Sequence, residues 1–96
     1  MLGRGVFEVK ARKGLIRVEA VVREGRVESV SIRGDFFLYP EDSLWRVEEK
    51  LRGVGVEEAP RRLEQLIGEL GVRLVGAEPR DFAEALRGAL RRAGES

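Results

Sequence analysis

Ninety-six residues with 18 Lys and Arg against 17 Asp and Glu, a net charge of +1, make one domain with a modest core and none of the basic excess that nucleic acid demands. The absence of Cys and His excludes disulfides, thiolate nucleophiles, imidazole bases and most zinc sites. No apolar run approaches membrane-spanning length and no signal-peptide core opens the chain, so the expectation is a cytoplasmic protein that meets neither membrane nor nucleic acid.

With 43% hydrophobic and 36% charged residues the whole of 1–96 reads as a single globular domain. Asn and Thr are absent, Gln occurs once, and the basic charge is carried mostly by Arg, a composition that fits a thermophile.

The first third alternates with a period of two and predicts three antiparallel strands. Phe7, Val9 and Ala11 share one face of the first strand; Ile16, Val18, Ala20 and Val22 share one face of the second. A two-residue turn at Lys13-Gly14 opposes Ala11 to Ile16, Val9 to Val18 and Phe7 to Ala20. For the second connection, a two-residue Glu24-Gly25 turn would oppose Val18 to Ser31 and throw Val30 and Ile32 to the opposite face. A three-residue Arg23-Glu24-Gly25 loop with a bulge and a left-handed Gly25 keeps them inside, opposing Val18 to Val30 and Ile16 to Ile32. The sheet's second face is mixed, with Leu15, Val21 and Val27 among Arg17 and Glu19.

The remainder is helical. Pro40 is expected at the first helical position, with Glu41 and Asp42 in the first turn, Leu44, Val47 and Leu51 as the apolar stripe, and Gly53 beyond the end. A second helix, 57–70, aligns Ala59, Leu63, Leu66, Ile67 and Leu70 and stops at Gly71. Residues 72–75 form a short extra strand. Pro79 opens a third helix with Phe82, Ala85, Leu86, Ala89 and Ala93 inward and Arg80, Glu84, Arg87 and Arg91 outward; residues 93–96 are expected to fray. The fold class is α+β: an antiparallel sheet of three strands, with the extra strand as a potential fourth, and three helices packed on one face.

Few residues carry chemistry. Asp35 with Glu41 or Asp42 could in principle share acid/base work, but no nucleophile or ligand set accompanies them, and turn or first-turn roles are the preferred reading. No catalytic residue and no metal site is assigned. The Lys10, Arg12, Lys13 and Gly14 hairpin gathers three cations: a solvated turn, or, at Lys13 and Gly14, a contact for a phosphate or carboxylate of a partner's ligand. It lacks the glycine-rich strand-to-helix form of a nucleotide loop. Phe36 and Phe37 are consecutive, so in an extended segment they face opposite ways; one ring serves the core and the other faces solvent, a second core or a partner. Trp45 lies about 100° around its helix from Leu44, either covered by the Gly53-Val54-Gly55-Val56 loop or kept as an interface anchor.

The run Ile32-Arg33-Gly34-Asp35-Phe36-Phe37-Leu38-Tyr39-Pro40-Glu41-Asp42, followed by a helix ending Leu51-Arg52-Gly53, resembles the accessory domain of lipoate-protein ligases. The resemblance extends from the Lys13-Gly14 hairpin to the late Ala77–Leu90 segment. It implies a non-catalytic subunit, inactive alone, that completes an ATP-dependent, lipoyl-AMP-forming enzyme. ATP, Mg and lipoate would then be held by a separate catalytic subunit, with lipoyl carrier domains as indirect partners and self-association open to the free chain. Gly34, Asp35, Phe36, Phe37 and Trp45 become the expected partner interface, and Lys13 and Gly14 the expected ligand contact. A self-associating or adaptor domain of similar fold, without a role in lipoate chemistry, is the alternative.

Overall fold

Alternating apolar residues over the first third form three long strands, β1 (Leu2–Ala11), β2 (Gly14–Arg23) and β3 (Arg26–Gly34), joined in the order β1-β2-β3 as an antiparallel sheet in this computed structural model, which describes residues 1–95. Val9, Ile16, Val18, Ala20, Val30 and Ile32 are buried on the shared face, as the period-two pattern requires.

The face is as expected; both registers differ. The first hairpin turns at Arg12-Lys13, opposing Ala11 to Gly14, Val9 to Ile16 and Phe7 to Val18, two residues from the expected pairing. A two-residue slip returns every side chain to its own face, so hydrophobic alternation does not distinguish the two alignments. Tertiary contacts do. Lys13 N–H donates to Gly76 C=O at 3.1 Å, and a Cβ on Gly14 would lie 2.4 Å from Asp35 Cβ, so this glycine is clamped against the chain leaving β3.

The second connection is a two-residue Glu24-Gly25 turn, with φ of 50° and 77°. Gly25 is left-handed as expected, and Glu24 shares that region, the backbone of a hairpin turn whose twist matches its strands. The bulge lies within the ladder rather than in the loop: Val22 opposes Val27 while Val21 opposes Ser29, leaving Glu28 as the extra residue. Val18 therefore faces Ile32, and Ala20 faces Val30, correcting the expected pairs. The same bulge rotates Val27 onto the core side, where it is 2% exposed, so Val27 does not belong to the outer face.

Beyond β3 the chain forms β4 (Phe37–Tyr39), α1 (Ser43–Leu51), α2 (Ala59–Glu69), β5 (Arg73–Val75) and α3 (Pro79–Glu95). The extra strand exists, but β5 pairs antiparallel with β4 in a separate two-stranded ribbon and does not extend the main sheet. Pro40 precedes α1 by three residues, after a cis peptide bond from Tyr39, and its C=O accepts from Ser43 N–H at 3.0 Å; Asp42 is the N-cap and pairs with Arg46 at 3.5 Å. Pro40 and Glu41 thus shape the turn into the helix rather than its first turn. Gly53 and Gly71 follow the ends of α1 and α2.

Helix α3 lies across β1 and β2, α1 against β3, and α2 against both helices. A Cβ on Gly5 would sit 2.1 Å from Ala89 C=O, and one on Gly88 would strike the Phe7 ring at 2.2 Å, so strand and helix backbones meet closely at these points. Ala93 is buried in this contact and α3 continues to Glu95, so residues 93–95 do not fray; Ser96 lies outside the described residues.

Candidate functional site

Gly34 presses against β2: a Cβ there would lie 2.2 Å from Leu15 C=O, and the following Asp35 N–H donates to that same oxygen at 2.9 Å. The chain leaves the sheet pinned at this point, and the next two residues diverge. Phe36 turns inward and meets Phe82 edge to face, centroids 4.9 Å apart at 84°. Phe37 turns outward and is 76% exposed. One ring in and one ring out is the expected division, and the packing assigns the rings.

The ribbon extends that division. Phe37 opposes Val75, Leu38 opposes Leu74, and Tyr39 opposes Arg73. Alternation sends Leu38 and Leu74 inward, where they line an apolar space with Ile32, Leu44, Val47 and Phe82. The other side presents Phe37, Tyr39 (67% exposed) and Val75 (56%) with Arg73, three large apolar side chains on six residues of strand. Tyr39 and Val75 were not singled out from the sequence. The signal for Tyr39 was present in the i, i+2 spacing from Phe37; Val75 needed the β4–β5 pairing.

Trp45 is 64% exposed, on the solvent side of the helix whose Val47 and Leu51 are buried. It is not covered by the 53–56 loop, which instead runs along the start of β3: Gly53 N–H donates to Val27 C=O at 2.7 Å, Val27 N–H to Val54 C=O at 2.8 Å, and Val56 N–H to Gly25 C=O at 3.0 Å. Further along, Ile32 N–H donates to Glu48 Oε2 at 2.8 Å. Burial raises the Glu48 carboxyl above its ordinary value of 4.5, with the Ile32 N–H and the Arg33 charge pulling it partly back.

The fold brings the Lys13-Gly14 tip against the Gly34–Phe37 segment, through Gly14 on Asp35, and against the end of β5, through the Lys13 stem, whose Cβ lies 3.0 Å from where a Gly76 Cβ would be. Arg12, Lys13, Val75 and Glu78 then line a shallow hollow beside the exposed ribbon face. Asp81 is spent locally, accepting from Glu78 N–H at 2.8 Å at the start of α3. Among the described residues no cluster of three or more acidic side chains is placed to hold a metal ion, and no helix is long and apolar enough to cross a membrane. The arrangement is suited to binding: an apolar, rigidly backed stripe, rimmed by cations at one end.

No protein-family model matches the sequence. Over 78 residues it is 44% identical to lipoate-protein ligase A subunit 2 of Thermoplasma acidophilum, a stretch covering 81% of this chain and 82% of that protein. A chain from the solved structure of an archaeal lipoylation system of the same organism, comprising a bipartite lipoate protein ligase and its E2 lipoyl domain, matches with a TM-score of 0.82 at 40% identity. That match covers 91% of this chain and 98% of the other.

Proposed function

This chain belongs to the family of lipoate-protein ligase A subunit 2, and from that membership we propose that it is the non-catalytic half of a two-part ligase, docking on a separate catalytic subunit through the outer face of the β4–β5 ribbon. The observation that carries the docking site is Phe37, 76% exposed on a ribbon whose neighbouring ring, Phe36, is anchored on Phe82. A large apolar side chain in water beside two others gains free energy only when something covers it, and aromatic anchors of this kind dominate binding at protein interfaces. Because Gly34 and Asp35 are pinned to Leu15, Phe37 is presented in one orientation, which lowers the entropy lost on docking. Trp45 adds a third exposed aromatic, on the neighbouring helix.

In this reading ATP, Mg and lipoate are held by the catalytic subunit, and lipoyl-AMP forms there. The role of this chain is to position that subunit for adenylation. Lys13, at the rim of the ribbon face with Gly14 behind it, supplies positive charge toward a phosphate or carboxylate on the partner's ligand. Lipoyl carrier domains meet the assembled ligase, in the cytoplasm, and the free chain retains a surface for pairing with itself.

Lipoate-dependent ATP–pyrophosphate exchange tests the division of labour. The purified chain should show none, and its catalytic subunit should show exchange only once this chain is added. A Phe37→Ala/Tyr39→Ala chain should need a higher concentration to restore exchange while reaching the same maximum. Exchange by the chain alone would end the proposal, and restoration by the double variant at wild-type concentrations would move the docking surface elsewhere.

A further inference from the structure

The β4–β5 ribbon has only two strands, and its hydrogen bonds can run in one of two phases. In one, Phe37 exchanges bonds with Val75 and Tyr39 with Arg73; in the other, Leu38 exchanges them with Leu74. The second phase would also have Phe36 N–H donate to Gly76 C=O, a bond not made among the described residues. Gly76 C=O instead accepts from Lys13 N–H at 3.1 Å, at the tip of the first hairpin. The first phase therefore holds, and the N–H and C=O of Leu74 point away from β4. No described residue outside the ribbon takes either group. Helix α1 packs against β4 and leaves β5 as the open edge.

Beside Leu74 lies a hollow of about 470 Å³, lined also by Arg12, Lys13, Val75, Ala77 and Glu78. The hairpin tip supplies a rung at Gly76 and goes no further along β5, so the next rung stands empty next to that hollow. We infer that an extended segment of the catalytic subunit enters the hollow as a third strand on β5. One of its residues exchanges both main-chain hydrogen bonds with Leu74, and the residues on either side of that one stand beside Arg73 and Val75 on the ribbon's outer face. The inference rests on the two-part ligase reading and adds a backbone component to its docking surface.

Charge specifies the segment. Arg12, Lys13 and Arg73 surround the empty rung, and among the described residues none of them has a carboxylate within ion-pair distance. Glu78, the acidic side chain of the hollow, is already paired with Arg80 at 3.4 Å. An acidic segment meets three cations there, whereas β5 of a second copy would bring the same cations with it. Cations on an edge strand act against self-pairing in this way and leave the edge to a strand of opposite charge.

Hydrogen exchange of the labelled chain, alone and with saturating catalytic subunit, reads Leu74 directly. In the free chain its amide should exchange far faster than those of Arg73 and Val75, which are bonded to β4. In the complex it should slow by about a hundredfold. Replacing Leu74 by its α-hydroxy acid removes the open N–H and keeps the side chain. The free variant should melt close to wild type, while complex formation weakens about fivefold through the loss of one main-chain hydrogen bond. Arg12→Glu/Lys13→Glu should weaken the complex at least as much, and added salt should weaken the wild-type complex. If the α-hydroxy variant does not fold, the exchange of Leu74 in the wild-type complex decides. A complex in which that amide exchanges as in the free chain, or a folded α-hydroxy variant that binds as wild type, overturns the added strand and leaves the two-part ligase standing. Failure of the two subunits to associate at all overturns both.

Discussion

The three-stranded sheet and the two-stranded ribbon obey the same alternation and use it to opposite ends. In the large sheet one face is apolar and buried under α1 and α3, while the other carries ion pairs such as Glu8–Arg17. In the ribbon the inward side, Leu38 and Leu74, closes the core, and the outward side carries Phe37, Tyr39 and Val75. A ribbon of two three-residue strands needs no exposed Phe, Tyr and Val for its own stability. In the proposed two-part ligase the ribbon's outer residues answer to the partner, and the sheet's inner residues answer to the fold.

Truncation within one aromatic set breaks or sharpens that contrast. Phe82→Ala removes the buried ring on which Phe36 rests and should cost about 3–5 kcal/mol in denaturant unfolding. Phe36→Ala, at a half-buried position on the same contact, should cost about 2–3 kcal/mol. If the two losses do not overlap in a double variant, the edge-to-face contact is not what couples them.

Phe37→Ala sits one residue away and should behave in the opposite manner. Its melting should stay within about 0.5 kcal/mol of wild type, while titration with the catalytic subunit should show binding weaker by about 1–3 kcal/mol. A Phe37→Ala chain that loses stability as Phe36→Ala does would erase the distinction between the two regions.

The smallest expected effect concerns Glu48 at the β3 edge. Its carboxyl is raised by burial, so the folded state holds the proton more tightly than the unfolded chain. The associated stability is fully present below the ordinary value of 4.5 and is lost as pH rises through the folded-state titration. Glu48→Gln keeps an acceptor for Ile32 N–H and removes the charge, so its stability should lack this fall. Melts of both chains at a series of pH values check it; parallel curves would mean that the carboxylate carries no net burial cost.

Much of the helical half was legible because local signals agree there. Ala59, Leu63, Leu66 and Ile67 recur at helical spacing and are all buried, and Gly53 and Gly71 stand past the helix ends where a left-handed residue is needed. The proposed interface was legible in part. Consecutive aromatics after Gly34 required opposite directions, but the choice of Phe36 as the inner ring belongs to Phe82, 46 residues later in the chain. Trp45 was correctly placed off the buried stripe, and its exposure depended on where the 53–56 loop ran.

What the sequence alone determined is which face of each element is apolar and between which strands the chain must turn, because side-chain periodicity and glycine conformation are local properties. The registers of both hairpins, the bulge that carries Val27 inward, and the pairing of β4 with β5 were decided only in three dimensions. A two-residue slip leaves the local pattern unchanged, and only the close approaches of Gly14 to Asp35, of Lys13 to Gly76, and of the 53–56 loop to Val27 separate the alternatives.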